Sequence, residues 1–283
     1  MGAVATLDLH TDNPPCGSDS GVPTVFTVAE PTALKFDVVI AGGGFAGVYC
    51  ARTLAKEFGD ETPRHVALIA DQNFMTFQPM LAEVVGSALS PRHVVNPLRR
   101  LCRNVTVLRG HIAGADLEAQ EVHLQAGEFT PEMTIGFQHL VLAVGSVVDL
   151  SRVPGMAEHA FLLKNVGDAL RLRGAIIDRF EEANLQSDVE SQRHLLTFVI
   201  VGGGYSGVET AGQILDLAKE MLEVYPRIPA EALRVVLVHS GAHLLPDISH
   251  SLGDYCAKNL EERGVELVLN GRVSAVTASR ARL

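Results

Sequence analysis

Two stretches of the chain carry the spacing G-x-G-x-x-G, at Gly42, Gly44 and Gly47 and again at Gly202, Gly204 and Gly207. Each follows a run of β-branched apolar residues and each opens a helix-periodic segment. Strand, glycine turn and helix in that order give the spacing a chemical use. The first glycine allows the tight turn, and the second, lacking a Cβ, lets backbone approach a pyrophosphate. The third lets the helix pack close to the strand. The helix N-terminus then offers unpaired N–H donors and a partial positive charge to the phosphates. An acid at the end of the next strand would complete each site by accepting from ribose hydroxyls. Asp71 stands there in the first unit, whereas the second reaches His239-Ser240 with no acid. A missing carboxylate removes the usual repulsion of a 2′-phosphate, so the choice between NADH and NADPH is open.

The elements that must position these turns repeat. FDVVIAGGGFAGVYCARTLAKE at 36–57 is echoed by LTFVIVGGGYSGVETAGQILDLAKE at 196–220. Helical periodicity puts Val48, Ala51, Leu54, Ala55 and Phe58 on one face of the first helix, and Val208, Ala211, Leu215, Met221 and Leu222 on one face of the second. Each unit then reaches another apolar strand, at 64–70 and 233–239. Between the units, VTVLRG (105–110), HIAGADL (111–117) and EVHLQAG (121–127) predict a small antiparallel meander. QHLVLAVGS (138–146) predicts a buried parallel strand ending at Gly145, followed by a helix from about Gly167 to Leu185. A polar connector at 186–194 leads into the second unit. The tail reads as a helix at 252–264, the strands VELVLN and RVSAVT, and SRARL with no closing element. The expected fold is α/β: two Rossmann-like dinucleotide-binding domains of the three-layer ββα type with a small antiparallel meander. Two such sites in one chain point to electron transfer between two cofactors, a tightly held flavin (FAD) and a nicotinamide (NAD(P)H) docked against it. The expected division is a disordered Pro/Ser/Thr-rich leader over 1–35, an FAD-binding domain over 36–153 and an NAD(P)-binding domain over 154–283.

Composition narrows the function classes. The 283 residues carry a formal net charge of −10, which argues against nonspecific nucleic-acid or anionic-lipid binding. Cys16, Cys50, Cys102 and Cys256 form no C-x-x-C pair, which removes a disulfide scaffold, a zinc ribbon and the dithiol of a disulfide reductase. His239, His243 and His250 lack neighbouring Cys at metal-ligand spacing, so no metal is expected. The arginines at 92, 99, 100, 103 and 109 read as a solvated or subunit-facing stripe. The charge-free run 38–51 is too short for a bilayer span of about 20 residues. No secretory signal precedes it, and Met1-Gly2 with Thr6 only loosely fits a myristoylation pattern. A cytoplasmic protein is the default expectation.

Together AGGGFAG (41–47), FQPMLAEV (77–84), SPRHVVNPLRR (90–100), HLVLAVGS (139–146) and VIVGGGYSGVETAG (199–212) resemble the type II NADH dehydrogenases, over about residues 36–277. These are FAD-containing NADH:quinone oxidoreductases. The resemblance implies that Gly42, Gly43, Gly44, Phe45, Ala46 and Gly47 contact FAD phosphates and Asp71 its ribose, although the acid of many relatives falls at Ala70 here. It places Gln78 and Pro79 near the flavin ring and Ile112 at adenine. Ala143 and Gly145 fall in an A-T-G-like turn, with Val144 in place of threonine. In the second unit Gly202, Gly204, Tyr205, Ser206 and Gly207 would hold the NAD(P)H pyrophosphate, with His239 at the ribose. Glu209 matches the glutamate of the family's G-V-E motif, beside nicotinamide and flavin, and is the candidate catalytic residue. As the only acid in the first turn of its helix, it also has a bland reading, since the helix dipole alone favours a carboxylate there.

The implied activity is hydride transfer from NAD(P)H to flavin and electron delivery to a quinone-like acceptor. In the family, the FAD domain resumes after the NAD domain and then carries the membrane-facing segment on the cytoplasmic side. Neither is expected after Val276, so membrane contact would come only through a segment absent here and activity would be impaired. A homodimer is compatible with the resemblance. The alternative is a non-catalytic dinucleotide-binding remnant or fragment, distinguishable from the enzyme by the lack of a flavin spectrum bleached by NADH.

Overall fold

The computed structural model describes residues 34–283 apart from 126 and 129. The leader expected over 1–35 falls outside the described residues, except that Leu34 and Lys35 already belong to the first strand. In chain order come β1 (Leu34–Ala41), α1 (Phe45–Phe58), α2 (Thr62–His65), β2 (Val66–Ala70), β3 (Phe74–Thr76), α3 (Leu81–Val85), β4 (Val95–Pro97), α4 (Leu98–Leu101), β5 (Thr106–Arg109), β6 (His111–Asp116), β7 (Glu121–Gln125) and β8 (Met133–Leu142). The second half contains α5 (Met156–His159), α6 (Val166–Asn184), α7 (Val189–Leu195), β9 (Thr197–Val201), α8 (Tyr205–Val224), β10 (Arg234–Val238), α9 (His250–Arg263), β11 (Val265–Val268), β12 (Ala275–Thr277) and β13 (Arg280–Arg282).

The first sheet runs β5-β2-β1-β8-β7-β6. Its first four strands are parallel, as required by the crossover that α1 makes between β1 and β2. Period-two alternation in β1 and β2 sends residues to opposite faces. Val38, Ile40, Val66 and Leu68 pack with Val48 and Ala51 of α1, while Val39, Ala67 and Ile69 pack with Val122, Leu124 and Ile135 of the meander. Helix, parallel sheet and meander are therefore three layers around two cores, as the expected architecture requires. The membership of the meander differs from expectation. It is β6-β7-β8, both pairs antiparallel, whereas β5 lies parallel on β2 at the far edge. An edge strand buries one face only, so β5 shows the same alternation as a meander strand. Its pairing partner, not its pattern, sets it apart.

β8 ends at Leu142, before Gly145, and is not fully buried: Leu142 is 71% exposed and Val144 beyond it 69%. The second sheet is parallel, in the order β11-β10-β9. Val235 and Leu237 of β10 face a large core with α6, α8 and α9, whereas Val236 and Val238 meet Val273 and the half-buried Val153 and Met156. The opposite face of β9 is open, with Val199 and Val201 exposed. The helix faces read from periodicity hold: Ala211, Leu215 and Met221 are buried and Val208 and Leu222 pack against them. In α1, Val48 and Ala51 are buried, but Phe58 is more than a third exposed and stacks on His65 at 5.2 Å.

Two polar stretches form structure that hydropathy alone does not predict. The connector at 186–194 contains α7, capped by the Asp188 side chain accepting from the Ser191 N–H at 2.8 Å. Buried Gln192 there donates to the Arg227 carbonyl at 3.1 Å, so its amide is paired. The terminal SRARL includes β13, which closes a hairpin on β12. Among the described residues no helix is long and apolar enough to cross a membrane.

Helix α6 tests this packing. Phe180 is fully buried beside the Tyr225 ring at 5.8 Å, and Asn165 and Asp168 form a reciprocal capping box. Phe180→Ala should lower stability by about 3–5 kcal/mol and Asn165→Ala by about 1 kcal/mol. Urea unfolding is the check, and a Phe180→Ala midpoint no lower than that of Asn165→Ala would contradict this core.

Candidate functional site

Both glycine turns are built by the same contacts. The Gly42 N–H donates to the Ile69 carbonyl and the Gly202 N–H to the Val238 carbonyl, each at 2.8 Å. Both glycines have φ near +115°, at 118° and 114°, a backbone that side-chain-bearing residues rarely adopt. A Cβ on Gly47 or Gly207 would collide with the carbonyl of Gly42 or Gly202, so the third glycine of each turn is required by close approach. A Cβ on Gly44 or Gly204 would meet nothing within 4 Å. Both second positions thus border open space at the N-termini of α1 and α8, where no acid stands in the first turn and no side chain caps the helix.

The middle glycines set the register of the strand ends. Gly43 lies against Ala70 and Leu98, and Gly203 lies against His239 and Leu244. Ala70 and His239 are therefore equivalent, and Asp71 stands one residue further on, at the register of Ser240. The Asp71 carboxylate is mostly exposed and reaches the His111 ring at 3.4 Å, beside half-buried Ile112. His239 is tied into its own turn, its Nδ1 accepting from the Gly203 N–H at 3.1 Å. Its proton therefore belongs on Nε2. On the first side Ala143 abuts Gly42, and its N–H donates to the Ala41 carbonyl at 2.8 Å. Gly145 follows with a left-handed φ of 72°.

The two halves meet through the segment after β3. Leu81, Val84, Val85 and Val94 are buried in the same core as α6 and α8. The Gln78 side chain donates to the Lys164 carbonyl at 3.0 Å. Lys164 is held in turn by its N–H donating to the Asp168 carboxylate at 2.9 Å. This contact opens a cleft of about 530 Å³ whose walls come from both halves. Phe45, Gln78 and Pro79 line it from the first; Lys164, Tyr205, Ser206 and Glu209 line it from the second. Leu81, Ala82 and Leu163 complete the lining, and the sequence singled out every one of the first seven except Lys164. Asp71, Ile112, Ala143, Gly145 and His239 are not among the residues lining it.

Glu209 is the fifth residue of α8, which begins at Tyr205, so it lies just beyond the first turn. The dipole reading of this carboxylate is corrected accordingly. Burial pushes the Glu209 carboxyl above its ordinary value, and the neighbouring charge of Glu83 pushes it in the same direction. Sequence reasoning passed over Glu83 and Lys164. Glu83 carried a signal, a lone acid inside the apolar run MLAEVV, whereas nothing in the local sequence marks Lys164.

Comparison with known proteins follows the same lines. Type II NADH:quinone oxidoreductase Ndh of Mycobacterium tuberculosis is 35% identical over 254 residues, covering 87% of this chain and 53% of the relative. The external alternative NAD(P)H-ubiquinone oxidoreductase B1 of Arabidopsis thaliana mitochondria is 30% identical, over 85% of this chain and 43% of its own length. The chain spans about half the length of the curated relatives it matches. Among solved structures, NDH2 from Plasmodium falciparum in complex with NADH superposes with a TM-score of 0.76 at 22% identity, over 87% of this chain and 50% of that one. That likeness bears on the fold alone. The profile of the pyridine nucleotide-disulphide oxidoreductases matches residues 36–282, a span that includes both glycine turns and the cleft between them, and the chain belongs to that family.

Proposed function

We propose that the chain is the dinucleotide-binding part of an FAD-dependent oxidoreductase that takes a hydride from NAD(P)H and passes electrons to a quinone-like acceptor. The observation that carries this reading is the single cleft lined by both glycine units, with Phe45 on one side and Tyr205, Ser206 and Glu209 on the other. Hydride transfer needs reacting atoms about 3–3.5 Å apart, and one shared cleft is the arrangement that permits it. The relatives named above act on NADH or NAD(P)H and quinones, which agrees with the reading.

The residues fit the cofactors. The space bordering Gly44 and Gly204 admits a pyrophosphate at each helix N-terminus, where free N–H groups can donate to it. We assign residues 36–153 to FAD, with Gly42–Gly47, Asp71, Gln78, Pro79, Ile112, Ala143 and Gly145 in contact. Residues 154–283 are assigned to NAD(P)H, with Gly202, Gly204–Gly207, Glu209 and His239. When bound, FAD supplies a two-electron acceptor that can take a hydride and release electrons onward. Gln78 and Pro79 shape the wall where the ring system would lie. The Gln78 amide, donating to the Lys164 carbonyl, ties the two halves together at the rim of the cleft. The active protein would work at a membrane surface on the cytoplasmic side, as a homodimer.

Purified protein carrying a flavin spectrum that NADH bleaches supports the proposal; protein that binds neither flavin nor nicotinamide nucleotide overturns it. Gly44→Val should abolish flavin content while leaving the unfolding midpoint unchanged, because the added Cβ meets no protein atom. Equal flavin in mutant and parent would contradict the assignment of this turn.

Nucleotide choice follows from His239. With an imidazole and no carboxylate at the strand end, NADH should be preferred over NADPH by less than tenfold, about 1.4 kcal/mol. His239→Glu should raise that preference above tenfold. Titration of both proteins with both nucleotides is the test, and a hundredfold NADH preference in the parent would be the contrary result.

The raised Glu209 carboxyl makes a statement about stability. Between its ordinary pKa of 4.5 and its higher folded value, the folded state binds more proton than the unfolded state, so stability falls as pH rises through that window. Below it there is no penalty, and above it the penalty is constant. Glu209→Gln should therefore be close to neutral at pH 4 and stabilising at pH 8, measured by denaturant unfolding at both.

A further inference from the structure

The two glycine units are built alike, and the strand ends beyond them show where they part. The Gly42 N–H donates to the Ile69 carbonyl and the Gly202 N–H to that of Val238, so these two strand residues are equivalent. Two residues on, Asp71 stands in the first unit and Ser240 in the second. The next strands keep the same register, with Leu108 beside Ile69 and Val268 beside Val238. Three residues past these, His111 stands in the first unit and Gly271 in the second. The first unit thus carries an acid and an imidazole where the second carries a hydroxyl and no side chain. The two groups meet: the His111 Nδ1 lies 3.4 Å from the Asp71 Oδ1. A carboxylate can only accept, so Nδ1 carries the proton.

This pair lies at the carboxyl edge of the first sheet. β1 leaves through the turn at Gly42, β2 ends at Ala70 and β5 ends at Arg109. Ligands of open α/β sheets bind outside those strand ends. The Gly110 N–H donates to the Ala70 carbonyl at 3.0 Å, which folds the start of β6 over the end of β2. Ala70 turns only a methyl group toward Gly43, so it offers nothing to a ribose hydroxyl. Asp71 is the first acid past the turn, on a bend beyond the strand. Neither Asp71 nor His111 has another ion-pair partner among the described residues. Their side chains are 65% and 68% exposed, and a pair so exposed contributes little to stability. Under a bound nucleotide the same contact loses water and strengthens.

We propose that His111 is a positioning residue of the first dinucleotide site, holding the Asp71 carboxylate toward the adenosine ribose in place of an acid at position 70. The inference rests on the oxidoreductase reading above, with FAD as the ligand of the first unit. The Asp71 oxygen that does not face His111 is free to accept from a ribose hydroxyl, as the strand-end acid of this fold does. Without the imidazole, a carboxylate on an exposed bend has several rotamers open to it, and ordering it costs part of the binding energy. The pair also makes the two sites select differently. Its carboxylate repels a 2′-phosphate, so the first site takes an unmodified ribose. Ser240 and Gly271 bring no such charge to the second.

The test is the affinity of the whole chain for FAD and for FMN, followed by quenching of flavin fluorescence. FMN carries the flavin ring and one phosphate but no adenosine. His111→Ala should weaken FAD binding roughly three- to tenfold, the scale of one directed hydrogen bond, and leave FMN binding unchanged. His111→Asn returns an N–H near the place of Nδ1 and should restore most of the loss. In an Asp71→Ala background, adding His111→Ala should cost nothing more, because His111 acts through Asp71. The unfolding midpoint without flavin should be the same in every variant, as befits an exposed pair. Equal FAD affinity in His111→Ala and parent overturns the proposal, and so does an equal loss for FAD and FMN. Where FMN binds too weakly to compare, recovery in His111→Asn decides, and no recovery overturns it. If the parent binds no FAD, the oxidoreductase reading fails and this role with it. If FAD binds and the variants do not differ, the positioning role fails alone.

Discussion

Burial of Leu81, Val84, Val85 and Val94 against α6 and α8 is the contact on which the rest of this structure depends. Each glycine unit is locally built: strand, turn and helix pack on their own sheet. Nothing within a unit dictates where the other must lie. The short segment after β3 supplies that information, because its apolar side chains belong to the first half of the chain but bury in the core of the second. At about 25 cal/mol per Å² of apolar surface, a few such side chains contribute several kcal/mol to holding the halves together. Gln78 then adds direction, since its bond to the Lys164 carbonyl fixes the rim of the cleft.

The chemistry of the site follows from what that contact encloses. Helix N-termini with unpaired donors are left open at Gly44 and Gly204, because no side chain occupies the space beside them. The same closure brings α3 onto α8, and burial with the nearby charge of Glu83 pushes the Glu209 carboxyl above its ordinary value. The internal repeat makes the differences between the turns informative. Ala70 and His239 occupy the same register, yet one offers only a methyl group, and the other is committed through Nδ1 to its own glycine turn.

The sequence by itself determined most of the local architecture. The two turns, the helices that follow them and the buried faces of those helices were legible, since tight turns demand glycine and amphipathic faces repeat at helical spacing. Phe45, Gln78, Pro79, Tyr205, Ser206 and Glu209 on the cleft were also legible, because they lie in or beside those motifs. Legibility ended where a residue's role depends on a distant partner. β5 and β6 carry similar alternation, and only the strand beside each decides that one is a parallel edge and the other part of the meander. α7 looked like a polar connector because its stability comes from the Asp188 cap and from Gln192 bonding across 35 residues to Arg227. Glu83 was visible as an odd acid in an apolar run, but its neighbour lies 126 positions away in the chain. Short-range sterics and periodicity act over a few residues and leave a signature in the sequence. Strand order and the seam between the halves are long-range consequences of packing, and those only the tertiary structure decided.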